Sequence, residues 1–335
     1  MLKEIEIQNF RCFEQIKISG FERVNLIGGK NNAGKTALLE ALFLNVAPNA
    51  SSLAMLRELR RESSKAIQAM PDRAWDNLFY ALKKDRFIVI LGSDDNNNTD
   101  RVEIKLEINS VKSSVLIEFM RNEDQSTLSS KKVPATRLIN YDISTTGEVP
   151  IIPSFIRISG RELTVAYDNA RLDDKDHEVL KAFQILDPAI ESVESFSIGE
   201  PTLYLRRKGE KRLPLSLFGD AMNRVAYIML KLVNNKHKIL LIDEIENGIH
   251  YTSQREFWRV LFRLAVELDT QIFATTHSLE MLQAFADVGL EQNQECSSAY
   301  FELARKLKTN QIIGIRRDLE TLNYALEHQK GVRGE

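Results

Sequence analysis

The chain has 335 residues, 43% hydrophobic and 27% charged, an ordinary composition for a globular protein and enough chain for roughly two domains' worth of core. Lys and Arg (45) nearly balance Asp and Glu (47), leaving a net charge of -2. That excludes a uniformly basic glove for nucleic acid and leaves only local patches for such contacts.

Two cysteines, Cys12 and Cys296, are too few for a disulfide framework and read as reduced thiols of a cytoplasmic chain. The N-terminus, MLKEIEIQNF, alternates charged and apolar residues, unlike a signal or transit peptide. No run of about 18 apolar residues marks a membrane span. Alternation from Leu2 to Gln8 and in EQIKIS predicts two half-buried strands joined by a tight turn at NFRCF. RVNLI predicts a third strand running into Gly28–Gly29. A helix is expected from Lys35, with Leu38, Leu39, Leu42 and Phe43 on one face. Residues 51–84 read as charged and helical. DRFIVILG, RVEIKLEI and SSVLIEFM read as antiparallel strands, with Val102, Ile104, Leu106 and Ile108 on one face. Residues 121–150 read as loop-rich. Further on, HEVLKAFQILD predicts a helix stopped by Pro188, TLYLRR a strand, and RRKGEKR a basic hairpin tip. A helix over 220–234 precedes KILLID, an apolar strand of the kind buried in a parallel sheet. Helix over 252–268, strand QIFATT, helix SLEMLQAF, strands SAYFEL and QIIGIRR, and a closing helix from Leu319 complete the chain. No internal repeat or sustained heptad is present.

Three stretches carry chemistry. In GGKNNAGKT, Gly29, Lys30, Asn31, Asn32, Ala33, Gly34, Lys35 and Thr36 fit a phosphate-binding loop set between a strand and a helix. Backbone N–H groups and the helix N-terminus would face the phosphates of ATP. Lys35 would reach the β/γ phosphates, and the Thr36 hydroxyl would hold Mg²⁺. In ILLIDE, the buried strand delivers Asp243 to the sheet edge as a second Mg²⁺ partner, followed by Glu244 as the general base for water. In FATTHS, His277 ends the next apolar strand, within reach of the γ-phosphate; the plainer reading is a solvent-facing His beside a Ser278 cap. His177, His237, His250 and His328 lack metal-ligand spacing and read as structural or surface residues.

NFRCF, GGKNNAGKT, LSLFGDAMNR, LLIDEIENGIH and FATTHS, in that order, resemble the ABC-type ATPase heads of the SMC/RecF/OLD group, and most of all bacterial AAA15-type or OLD-like ATPases. The resemblance spans almost the whole chain, with residues 51–195 matching only in layout. It implies an α/β P-loop NTPase fold of ABC-ATPase type: one discontinuous domain over 1–335, with a mixed central sheet, an antiparallel β subdomain and a helical insertion. Residues 1–50 would carry the first strands and Walker A. Residues 51–200 would form the insertion, and 201–335 the signature, Walker B, D-loop, switch histidine and closing strands. The resemblance makes Lys35 and Thr36 Walker A, Asp243 and Glu244 Walker B and its catalytic base, and His277 the switch histidine. ENGIH takes the D-loop place. Ser216 and Gly219 of SLFGD take the signature place, reaching the nucleotide of another subunit. Ala221 stands where the family has a second glycine, and Asn32 where SMC-type loops have one. Arg11 is similar to a family arginine beside the nucleotide.

The implied function is ATP hydrolysis by a homodimer or larger assembly formed around ATP, driving a nucleic-acid-directed process such as phage defence or DNA repair. OLD nucleases continue into a Toprim domain with an Asp-x-Asp pair. Residues 285–335 contain no such pair, so cleavage would need a separate nuclease or effector protein. One alternative is a nucleotide-dependent sensor or scaffold controlling a partner. Another is a transporter ATPase subunit, disfavoured by the long insertion and the lack of an evident coupling glutamine. Duplex DNA contacts would fall on Arg57, Arg60 and Arg61 of RELRR, or on Arg206, Arg207, Lys208, Lys211 and Arg212 of RRKGEKR; solvated charged faces are the plainer reading of both.

Overall fold

The computed structural model describes residues 1–60, 62, 73, 75–108, 113–121, 128–134, 149–155, 159–291 and 295–328. Strands β1 (Leu2–Phe10) and β2 (Phe13–Ser19) form an antiparallel hairpin around Arg11 and Cys12. Its alternation buries Ile5, Ile7, Ile16 and Ile18 on one face. Strand β3 (Val24–Gly29) is buried along its whole length and leads through a polar turn into α1 (Lys35–Val46). Helix α2 (Ala50–Leu59) follows. Next come β4 (Ile88–Asp94), β5 (Thr99–Ile108), β6 (Ser113–Arg121) and β7 (Leu128–Pro134). The strands outside β3 pair in the order β2-β1-β4-β5-β6-β7, antiparallel throughout. Val102, Ile104 and Leu106 are buried, as their alternation predicts.

The second half alternates strands with helices. It runs β8 (Ile151–Ile152), α3 (Gly160–Leu172), α4 (Asp176–Leu186), β9 (Ile190–Ile198), β10 (Glu200–Arg207) and β11 (Leu213–Pro214). It continues with α5 (Asp220–Val233), β12 (Ile239–Ile242), α6 (Tyr251–Glu267), β13 (Gln271–Thr275), α7 (Leu279–Glu291), β14 (Ser298–Arg305), β15 (Ile312–Arg317) and α8 (Leu319–Glu327). The main sheet has the order β15-β14-β3-β13-β12-β8. β14, β3, β13, β12 and β8 run parallel, and β15 closes one edge antiparallel. β11-β10-β9 form a small antiparallel sheet of their own.

Three expectations change. Helix α1 is buried on all sides, not along one stripe: Leu38, Leu39, Leu42 and Phe43 are joined by Ala37, Ala41 and Leu44 in the core. It lies between the two large sheets, so every face meets protein and apolar residues fall on all sides of it, with Lys35, Glu40 and Asn45 buried among them. Among the described residues of 51–84, α-helix ends at Leu59, and only 3₁₀ turns at Asp76–Leu78 and Tyr80–Leu82 follow. The segment expected to be loop-rich contributes β7 to the edge of the antiparallel sheet.

This topology brings the carboxyl ends of β3, β12 and β13 to one sheet edge. In open parallel sheets that edge, where connecting chain diverges, is where ligands are held.

Candidate functional site

The turn after β3 is shaped by glycine and by left-handed backbone. Gly29 has φ 137°, and a Cβ there would lie 2.4 Å from the Leu303 carbonyl oxygen of the neighbouring β14, so no side chain fits. Asn32 takes a left-handed φ of 62°, a conformation asparagine tolerates better than most residues. Lys35, the first residue of α1, is buried and donates from Nζ to the carbonyls of Gly29 (2.6 Å) and Lys30 (2.9 Å). The ammonium is thus drawn over the loop from inside, at the height of the turn.

The sheet edge supplies the carboxylates. Asp243 follows β12, is buried, and accepts from the hydroxyls of Thr36 (3.2 Å) and Thr275 (2.6 Å). Burial pushes its carboxyl above the usual range, against the pull of those two hydroxyls, and the neighbouring Glu244 and Glu40 charges add to the rise. Glu244 has φ 49°, a costly backbone for a non-glycine residue. Three partners hold it. Its N–H donates to Thr275 Oγ1 at 2.8 Å, Asn247 Nδ2 donates to its Oε2 at 2.9 Å, and Arg224 reaches its carbonyl at 3.5 Å. His277, just past β13, places Nε2 3.4 Å from Glu244 Oε1, with its backbone N–H on Glu246 Oε1 at 2.5 Å. Ser278 caps α7 by accepting the Met281 N–H at 3.1 Å, so the capping role and the inward-facing histidine coexist. A lysine, two oxygen donors facing each other, and a strained glutamate beside a histidine therefore meet at one edge.

The family model described as "AAA domain, putative AbiEii toxin, Type IV TA system" matches residues 24–282. The chain belongs to this family. It is an ATPase with an α/β P-loop fold. An "ATP/GTP phosphatase" from Helicobacter pylori (strain ATCC 700392 / 26695) is 24% identical over 379 residues, covering 100% of both chains. A "DNA replication and repair protein RecF" from Bacillus cereus (strain G9842) is 35% identical over 82 residues, covering 24% of this chain and 18% of RecF. The solved head of an SMC protein bound to the C-winged helix domain of ScpA superposes with a TM-score of 0.52 at 11% identity, covering 96% and 98% of the two chains, a likeness of fold.

Several residues of this AAA-family ATPase matter that the sequence motifs did not single out. Thr275 links Asp243 to the Glu244 backbone. Arg224, buried in α5, donates to the carbonyls of Pro153 (2.5 Å) and Asp243 (2.7 Å). It ties the helix after SLFGD to the strand end carrying Asp243. Its one sequence signal is an arginine inside the apolar run of α5. Glu40, one turn beyond Thr36 on α1, is fully buried between Arg11 (2.9 Å) and Arg60 (2.6 Å).

That pairing revises the basic patches. Arg57 is only 7% exposed, paired with Glu62 at 3.3 Å and stacked over Trp75, so it presents no surface charge. Arg60 uses Nε and Nη2 on Glu40. Burial opposes its charge most strongly, but the hydrogen bonds to Glu40 together with the negative charges of Glu40 and Asp243 outweigh that and keep it protonated. Arg61 lies outside the described residues. Arg11 gives Nε to Glu40 and Nη1 to the Asn77 carbonyl at 3.1 Å. In the second patch Arg206, Arg207 and Arg212 pair with Glu191, Asp187 and Glu194. Lys208 and Lys211 are exposed at that hairpin tip. Ser216 and Gly219 sit on an exposed 3₁₀ turn before α5, Gly219 with φ 87°. Gly248 of the ENGIH segment packs against Ala221, where an added Cβ would lie 3.2 Å from the Ala221 Cα.

Asp243 also yields a stability prediction. A carboxylate whose folded pKa is raised costs stability above that pKa, because the folded state prefers the protonated form. Asp243→Asn removes this cost. Its Oδ1 still accepts from Thr275, and its Nδ2 donates to Thr36. The nucleotide-free variant should melt about 2 °C higher at pH 7–8, although it loses hydrolysis. The gain should shrink as pH falls through the folded pKa toward ~4. A lower melting temperature at neutral pH would show that the charged form is not penalised.

Proposed function

We propose that this protein works as an ABC-type ATPase in which a second copy completes each nucleotide site, and that its output is nucleic-acid-directed. The observation that carries the reading is the meeting of Lys35, Thr36, Asp243, Glu244 and His277 at one edge of the parallel sheet. The backbone of residues 29–34 and Lys35 bind the triphosphate. The Thr36 hydroxyl and Asp243 fit a hard divalent cation: both are oxygen donors, they face each other, and the buried carboxylate is electrostatically under-compensated. They would hold Mg²⁺, which neutralises phosphate charge when bound. Glu244 accepts the proton of the attacking water, and His277 donates to a phosphate oxygen while keeping Glu244 oriented. Ser216 and Gly219 serve the neighbouring copy's nucleotide.

The nucleic-acid-directed part rests on the relatives named for DNA repair. The narrower proposal within that reading is an OLD-like role in phage defence, acting with a separate effector protein. The phosphate site itself is tested at Lys35. Lys35→Ala removes a charge-assisted contact to the triphosphate, and ATP affinity measured by calorimetry should fall about 10²-fold. Unchanged affinity would remove the loop from the mechanism.

A further inference from the structure

The β14–β15 hairpin has no place in the reading above, yet it stands over the phosphate loop. β14 pairs with β3 in parallel up to Leu303 opposite Gly29, so the chain leaving β14 emerges beside the turn. The tip is built, not loose: the Lys306 N–H donates to the Gln311 carbonyl at 2.9 Å and the Asn310 N–H to the Lys306 carbonyl at 2.8 Å. Arg305 anchors it. Nη1 donates to the Asn310 carbonyl at 3.0 Å and to Asn310 Oδ1 at 3.2 Å, while Nη2 reaches the Asn32 carbonyl of the phosphate loop at 3.4 Å. The side chain is exposed, and its charge is felt at Cys12, whose Sγ lies 2.9 Å from where a Gly34 Cβ would be. Leu307 beside it is fully exposed.

The sheet order gives the loop a direction. Asp243 and His277, which mark the terminal-phosphate end, come from β12 and β13 on one side of β3; β14 lies on the other. A nucleotide whose last phosphate points toward β12 must send its nucleoside the opposite way, toward the β14–β15 tip. We infer that Arg305 is the platform on which the base of the bound nucleotide stacks. The hydrogen bonds of Nη1 and Nη2 hold the guanidinium edge and fix its plane, which leaves its faces as the binding surface. A face reads no base edges, because every base offers the same π surface. The contact therefore supplies affinity without choosing between adenine and guanine.

This inference rests on the phosphate-loop reading, and the test separates the two. Binding of ATP, GTP and inorganic tripolyphosphate is measured by calorimetry on the full chain and on Arg305→Ala and Arg305→Lys, with the melting temperature of each. For Arg305→Ala, ATP and GTP affinity should each fall about tenfold, by the same factor, the scale of one lost base stack. Tripolyphosphate affinity should stay within about twofold, because the lost contact is to the nucleoside. Arg305→Lys keeps the charge without the plane, and should lose nearly as much nucleotide affinity as the alanine variant. Equal losses of nucleotide and tripolyphosphate, or full rescue by lysine, would make Arg305 an electrostatic phosphate contact and overturn the proposal. Unchanged nucleotide affinity would overturn it too. Wild-type protein that binds neither nucleotide nor tripolyphosphate would take down the phosphate site along with it.

Discussion

Glu244→Gln should bind ATP within about twofold of wild type and hydrolyse it about 10²–10⁴-fold more slowly, the range a positioned general base supplies. The expectation follows from what the substitution leaves alone. Asp243, Thr36 and Lys35 keep their contacts, so the phosphate and cation partners persist. The Glu244 backbone, at φ 49°, is held by the Thr275 hydroxyl and by Arg224, neither of which touches the carboxylate. Gln retains an oxygen for the Asn247 amide. What disappears is the basicity of Oε1 and the contact of that carboxylate oxygen with His277 Nε2 at 3.4 Å. His277→Ala should therefore be milder than Glu244→Gln in single-turnover assays. Turnover by Glu244→Gln at the wild-type rate would assign the base elsewhere.

The site was legible in the sequence where a single local constraint dictates residue type. A turn where an added Cβ would lie 2.4 Å from a neighbouring carbonyl oxygen admits only glycine, and Gly29 shows this in the sequence as plainly as in the fold. Four apolar residues before Asp243 announce a buried strand because a parallel sheet covers both its faces. What sequence did not show depends on partners far along the chain. The charge on Arg60 looks free beside Arg57 and Arg61, but Glu40 claims it across the end of α1. Arg207 and Arg212 look like a basic tip, but Asp187 and Glu194 neutralise them from the adjoining strand and helix end. Thr275 looks like one more β-former in FATTHS; only the register of β13 against β12 sets its hydroxyl between Asp243 and Glu244. Helix α3 had a readable signal in Leu163, Tyr167 and Ala170 on one face and a Ser159 cap for the Glu162 N–H, set in a polar stretch that masks it.

In the background of Glu244→Gln, Ser216→Arg should convert an Mg-ATP-dependent dimer into a monomer. The single Glu244→Gln chain should elute as a dimer with Mg-ATP and as a monomer with ADP. Ser216 lies on a surface turn with its side chain exposed, next to Leu217 at 68% exposure, and the space around Gly219 is open to at least 4 Å from where a Cβ would be. Such a turn gains nothing for the isolated chain. Glycine takes the positive φ of Gly219 without a clash, and the large exposed Leu217 gains free energy when something covers it. The N-terminus of the 14-residue α5 points from the same turn, and its unpaired N–H groups favour an anion. In the proposed two-fold pair, each copy's turn would meet the other copy's nucleotide, so one substitution would strike both sites at once. Arginine at 216 fills the approach with a long side chain, and steady-state hydrolysis by the Ser216→Arg single variant should fall about 10²-fold or more, as the missing donors imply. Its melting temperature without nucleotide should match wild type, because an exposed serine has little packing to lose. ATP binding to the monomer at micromolar protein should persist, since Lys35, Thr36 and Asp243 lie in the same chain. A Ser216→Arg protein that still dimerises and hydrolyses ATP normally would show that each chain completes its own site, and Arg224, which ties α5 to the Asp243 backbone, would then act only as a brace.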